Sequence, residues 1–170
     1  MKKLIPPILL CGALAAFSMP AAASLQLNPV ANAQPPVKKF FDVSCDASYG
    51  GDELTYRHGM WGKPKFKGNA RGNILQWANG QREVHVTSYN IVKSPWVDGA
   101  GNKANLNLLW NGTKSKSQGD NLKQYLWGND TQNHIEVSIS AGNTKDLILP
   151  KVQFIFDKPG KDVRCEATIT

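Results

Sequence analysis

Short runs in which apolar and polar residues alternate are the feature that most constrains the fold of this chain. Within residues 37–47, read VKKFFDVSCDA, Lys39 interrupts the apolar positions, which are Val37, Phe41, Val43, Cys45 and Ala47. A period of two is typical of a β-strand that has one apolar face. No window of eleven or more residues shows the 3.6-residue period of an amphipathic helix. The pattern therefore predicts an all-β fold.

Two Asn-Gly pairs mark predicted hairpin turns between alternating runs. Asn79-Gly80 lies between residues 74–78 and 82–92, and it predicts a tight turn in which both residues have positive φ. Asn111-Gly112 predicts another turn, directly after a strand over residues 105–110.

Further strands are predicted in the last third of the chain. The runs over residues 134–140 and 152–157 alternate, and residues 163–170 form the last strand. That strand places four side chains on the core face, namely Val163, Cys165, Ala167 and Ile169. A total of about seven to nine short strands favours an immunoglobulin-like β-sandwich, with a β-barrel as the main alternative.

Residues 58–73 are rich in glycine and in basic residues. The stretch lacks the Gly-Lys-Ser/Thr ending of a phosphate-binding loop, and no helix pattern follows it. We therefore interpret it as a long surface loop that contains a short strand over Lys65–Lys67.

The first residues have the features of a secretion signal. Lys2 and Lys3 precede a mostly apolar run, and Ala21-Ala22-Ala23 is a small-residue cleavage site. We place the cut after Ala23, with Ala33 as the alternative; an uncleaved anchor would need a longer apolar run. The predicted organisation is a signal peptide over 1–23, a flexible leader over 24–36 and one domain over 37–170.

Charge and cysteine content narrow the class of protein. Removing residues 1–23 leaves 147 of 170 residues and lowers the formal charge from +7 to +5, because Lys2 and Lys3 are lost. No cluster of basic residues is interleaved with aromatics, so no nucleic-acid partner is predicted. Export implies an oxidising compartment, which predicts a disulfide between Cys45 and Cys165; two buried reduced thiols are the alternative.

No catalytic or metal-binding constellation is visible. The histidines, His58, His85 and His134, have no cysteine or carboxylate at a metal-ligand spacing. No nucleophile motif or paired carboxylates stand out, so neither an enzyme nor a cofactor is predicted. Of the five tryptophans, Trp77 and Trp110 are expected in the core, whereas Trp61 and Trp96 lie in loops and are candidates for a ligand surface.

The order of these motifs resembles that of the alpha-fimbrial major pilins, the class 5 pili of the chaperone–usher pathway. Those pilins begin with Val-x-Lys-x-apolar-x-Val-x-small-x-apolar, and residues 37–47 fit this register. Shorter similarities are LTY at 54–56, VHVTSY at 84–89, ANLNLLWNGTKSKS at 104–117, IEVSISA at 135–141 and KPGKDVRCEATIT at 158–170. The chain departs from the family in carrying cysteines and in lacking an Asp-Pro step after the first strand.

The resemblance implies an incomplete sandwich that a strand from a neighbouring subunit completes. It implies a donor strand whose pocket-filling residues are Val37, Phe41, Val43, Cys45 and Ala47. It implies an acceptor groove edged by Val163, Cys165, Ala167 and Ile169. The implied partners are other copies or related pilins, a periplasmic chaperone, an outer-membrane usher and a host surface receptor. The implied location is a fimbria at the cell surface.

The two cysteines set a condition on this hypothesis. If Cys45 bonds Cys165 within one chain, residues 37–47 lie in their own sheet, and donation falls to the leader around Leu25 and Leu27. A bond between chains would instead join subunits covalently. The alternative function is a secreted, monomeric immunoglobulin-like module that binds a ligand such as carbohydrate.

Overall fold

Eleven β-strands and no helix make up the part of the chain that the computed structural model describes, which is residues 34–48, 54–57, 59–97, 99, 101–115, 119–141 and 148–170. The strands are β1 (Val37–Ser48), β2 (Thr55–Arg57), β3 (Met60–Gly62), β4 (Lys65–Gln76), β5 (Arg82–Lys93), β6 (Asn105–Trp110), β7 (Thr113–Lys114), β8 (Tyr125–Leu126), β9 (Asn133–Ala141), β10 (Lys151–Phe156) and β11 (Val163–Thr168). Within those residues no helix is long and apolar enough to cross a membrane. The predicted signal peptide and most of the leader, Leu25 and Leu27 included, lie outside the described residues.

The first sheet has the order β1-β4-β5, and β5 pairs with both β9 and β8 along its other edge. β1 and β4 are antiparallel over all twelve residues, from Val37 opposite Gln76 to Ser48 opposite Lys65. β9 pairs antiparallel with the first part of β5, and β8 pairs parallel with Val92 and Lys93 at its end. This arrangement makes β1 an edge strand of its own sheet.

The second sheet has the order β11-β10-β6-β7, with antiparallel neighbours throughout. Its apolar face covers the apolar face of the first sheet. Phe66 of β4 stacks on Phe156 of β10 with ring centroids 4.9 Å apart, and Phe154 stacks beside Phe156. All three rings are fully buried. The predicted all-β sandwich is therefore confirmed, while its immunoglobulin-type topology stays a prediction.

The glycine-rich stretch is not the loop that its composition predicts, because residues 65–76 form the long central strand β4. The glycines stand where another group approaches the backbone. A β-carbon on Gly72 would lie 1.9 Å from the carbonyl oxygen of His85 and 2.7 Å from the Phe41 ring. The register between β4 and β5 also shifts between Arg71 and Gly72. A glycine in a strand often marks such a bulge or close approach.

The two Asn-Gly turns differ from each other. At residues 79–80 only Gly80 has positive φ, at 85°, so the prediction of two positive φ angles is wrong there. Asn111 and Gly112 have φ of 47° and 74°, as the tight turn requires, and they join β6 to β7. The longer first turn is closed by the amides of Gly80 and Gln81, which bond to Trp77 O and Asn79 Oδ1.

Candidate functional site

The disulfide between Cys45 and Cys165 joins β1 to β11, which are edge strands of opposite sheets. The predicted pairing is confirmed, and the bond lies within one chain. The two Cα atoms are 5.9 Å apart. A structural disulfide is typical of proteins that mature outside the cytoplasm, so the bond agrees with export.

The strand registers show how β1 and β11 run beside each other. Cys45 is opposite Gly68 on β4, Cys165 is opposite Phe154 on β10, and the Phe154 ring lies on Gly68. Together with the Phe66–Phe156 stack, these pairings make β1 antiparallel to β11. We call this junction, over residues 41–47 and 163–169, the edge seam. Among the described residues no backbone ladder joins the two strands across it.

The edge seam is apolar but incompletely covered. Phe41, Ala167 and Ile169 are buried, whereas Val43, Cys45, Ala47, Val163 and Cys165 are only partly buried against the core. Val37, at the start of β1, is 72% exposed. All five residues of the predicted donor strand thus pair with the chain's own β4, and the condition for an intrachain bond is met.

The spacing at the disulfide limits what can enter the edge seam. A strand inserted between two others separates them by about 9–10 Å, because neighbouring strands lie about 4.8 Å apart. The Cα atoms of Cys45 and Cys165 are only 5.9 Å apart. No third strand fits between β1 and β11 at this level while the bond is intact.

The loop tryptophans come together at the small β2–β3 sheet. Trp61 is 66% exposed, and its ring centroid lies 5.2 Å from that of Tyr56. Trp96 is half-buried and lies on the backbone of Gly62, where it donates from Nε1 to Met60 O at 3.3 Å. Trp61 can therefore face a ligand, whereas Trp96 supports the hairpin. Of the predicted core tryptophans, Trp110 is buried and Trp77 is half-buried.

A second feature lies on the outer face of the first sheet. Cross-strand register places Ser44, Asn69 and Asn90 in one row, and places Lys67 beside Val92 in the next row. The loop after β8 lies beside these rows, and the loop and the sheet together line a cleft of about 470 Å³. We call it the polar cleft; it is lined by Lys67, Asn69, Arg71, Asn90, Val92, Trp127, Gly128, Asn129, Asp130 and Gln132.

Hydrogen bonds fix the wall of the polar cleft. Asn90 is nearly buried and donates from Nδ2 to Asn129 O at 3.0 Å and to Thr131 O at 2.7 Å. The Trp127 amide donates to Lys93 O at 3.0 Å. Because both ends of the loop are bonded to β5, the wall is formed without a ligand.

The floor of the polar cleft is a chain of polar side chains. Gln132 donates from Nε2 to Asn69 Oδ1 at 3.2 Å, and Asn69 donates from Nδ2 to Asp42 Oδ1 at 2.5 Å. Arg71 donates from Nε to the other oxygen of Asp42 at 2.8 Å. The pairing with Asp42 neutralises Arg71, so the floor offers amides rather than net charge.

Neither the edge seam nor the polar cleft contains a cluster of metal-binding side chains. No group of three histidine, cysteine or carboxylate side chains could hold a metal ion among the described residues. Comparisons of the chain with family models, curated proteins and solved structures find no match.

The sequence pattern did not indicate the polar cleft. Its residues come from β4, β5 and the loop over 127–132, which are up to 65 positions apart in the chain. One sequence feature could have indicated the cleft. Trp127 comes directly before Gly-Asn-Asp, and a large aromatic residue next to such turn-forming residues is expected to be only partly covered.

Proposed function

We propose that the chain is an exported subunit of a fimbria-type surface fibre that assembles by strand addition. The observation that carries the proposal is the free edge of β9. This strand has nine residues, pairs with β5 along one edge, and has no backbone partner on the other edge among the described residues. An unpaired strand edge is a template for a strand from another chain.

The edges of the sandwich are protected unequally. β1 carries Lys38 and Lys39 and is clamped to β11 by the disulfide, and lysines on an edge oppose pairing. β9, with the sequence NHIEVSISA, contains neither lysine nor proline. Its apolar side chains Ile135, Val137 and Ile139 are already buried, so only its backbone needs a partner. We therefore assign the acceptor role to β9 rather than to β11.

The donor in this proposal is the segment before Gln34, because β1 is committed to its own sheet. Leu25 and Leu27 alternate with polar residues there, as a donated strand requires. A periplasmic chaperone and an outer-membrane usher would be the assembly partners, and a host receptor would be the target of the fibre.

A photocrosslinking amino acid at residue 27 of the exported chain tests the proposal. We expect crosslinked multimers on denaturing gels, with mass spectrometry locating the crosslinks on residues 133–141 of a second copy. Deleting residues 24–33 should abolish the multimers. Crosslinks to residues 163–168 would overturn the assignment of β9, and a purely monomeric chain would overturn the fibre.

A second candidate function is a secreted monomeric binding module. The specific observation in its favour is the preformed polar cleft, which lies on the outer face of the first sheet and is lined by residues of one chain. Its volume of about 470 Å³ lies within the range of small-molecule sites.

A further inference from the structure

We propose that the polar cleft binds a neutral sugar of an oligosaccharide, with Trp127 as its stacking platform and with Asn90 and Gln132 as its hydrogen-bonding groups. The inference deepens the second candidate function and does not depend on strand addition.

The amide side chains match the chemistry of a sugar hydroxyl. A hydroxyl both donates and accepts hydrogen bonds, and a carboxamide offers both functions in one plane. Asn90 uses its nitrogen to hold the loop, and its Oδ1 accepts no hydrogen bond from the described residues. One N–H group of Gln132 Nε2 donates to Asn69 Oδ1, and the other N–H group donates to no described residue. The cleft therefore presents an acceptor and a donor that the fold does not consume.

Trp127 supplies an apolar surface beside these polar groups. Its side chain is 46% exposed and lines the cleft. The apolar C–H face of a sugar ring can lie on an indole, while its hydroxyls reach the amides. Trp127 lies in a turn with Gly128, which has a φ of 87°, a backbone conformation that most other residues avoid.

The charges around the cleft do not select an ionic ligand. Arg71 is paired with Asp42 at 2.8 Å. The remaining charged residues at the cleft, Lys67 and Asp130, have opposite signs. A phosphate or carboxylate would therefore be attracted by little net positive charge in the cleft. The binding of a neutral ligand does not depend on such a charge.

The wall of the cleft is also formed before binding. The bonds from Asn90 to the carbonyls of Asn129 and Thr131 hold the wall, and the Thr131 amide donates to Asn129 Oδ1 at 3.0 Å. A preformed wall reduces the entropy lost when a ligand binds, which matters for a weak ligand such as a sugar.

The test is a printed array of neutral, sialylated and sulfated oligosaccharides, probed with the disulfide-bonded chain. We expect binding to neutral glycans, followed by calorimetry with the tightest of them. Trp127→Ala should weaken that binding at least about tenfold. Gln132→Ala should weaken it as well, and affinity should change little between low and high salt.

Phe40→Ala is the matched control, because it removes an exposed aromatic side chain that does not line the polar cleft. It should leave affinity within about twofold, and thermal unfolding should show that all variants fold. Loss of binding in Trp61→Ala but not in Trp127→Ala would assign the ligand to the β2–β3 hairpin and overturn the proposal. Binding confined to charged glycans, or to none on the array, would overturn it too.

Discussion

The ring of Phe154 lies directly on the backbone of Gly68. A β-carbon at residue 68 would come within 2.5–2.6 Å of three ring atoms. The contact joins the central strand of the first sheet to the second sheet at the level of the disulfide, since Gly68 pairs with Cys45 and Phe154 with Cys165. One missing side chain therefore sets how closely the two sheets pack.

Gly68→Ala should destabilise the fold by about 1–3 kcal/mol, because the added methyl has no space in a packed core. Urea unfolding followed by tryptophan fluorescence measures the change. The cost should fall in a Phe154→Leu background, since the smaller side chain relieves the clash. An unchanged cost in that background would show that the penalty comes from the backbone and not from the ring.

The disulfide should make a large contribution to stability. It closes a loop with a sequence separation of 120 residues, for which the chain-entropy model gives about 4–5 kcal/mol. We expect Cys45→Ser/Cys165→Ser to lose about this amount in urea unfolding. The wild-type chain should run without disulfide-linked multimers on a non-reducing gel. A reductant-sensitive ladder would show that the bond also forms between chains.

Gln124 should be one of the most sensitive polar positions. Its side chain is 5% exposed, and Nε2 donates to Gly101 O and Asp157 O at 2.8 Å each. Its Oε1 accepts from the Asp157 amide at 3.2 Å. Gln124→Ala should cost about 2–4 kcal/mol in chemical unfolding, because three partly buried backbone groups lose their partners. The exposed Gln76→Ala is the control, with a change below about 0.5 kcal/mol.

Stability should depend weakly on Glu166 in acid. Hydrogen bonds from Lys151 and then Gln153 lower the pKa of the Glu166 carboxyl from its usual 4.5. A lowered pKa stabilises the fold above pH 4.5, and the contribution disappears as the pH falls through the folded-state value. The effect should stay below about 1 kcal/mol, because the pair is solvent-exposed. The unfolding free energies of wild type and Glu166→Gln should therefore converge as the pH falls below 4.5; a gap that is constant with pH would contradict this.

The sequence predicted those strands in which the alternation is local and clean. Residues 105–110 form β6 as expected, and β5, β9, β10 and β11 lie within a few residues of their predicted bounds. In these strands the side chains alone decide which face is buried, so a period of two is sufficient evidence.

β4 could not be predicted in the same way, because its glycines leave space for side chains and backbone groups that are distant in sequence. Gly68 accommodates Phe154, and Gly72 accommodates Phe41 and the His85 carbonyl. The local composition of this stretch, rich in glycine and lysine, is typical of a loop. The polar cleft was missed for a related reason: its residues become neighbours only through the β4–β5 register and the bonds of Asn90.

The disulfide has a mechanical consequence for the chain. Tension applied to β1 ahead of Cys45 and to the residues after Cys165 would run through the sulfur–sulfur bond. The polypeptide between the two cysteines would be bypassed and would bear no load. Pulling could unzip only the opening residues of β1 from β4 and the last residues of β11 from β10. The sandwich would then extend by a few residues at each end and stop, instead of unravelling.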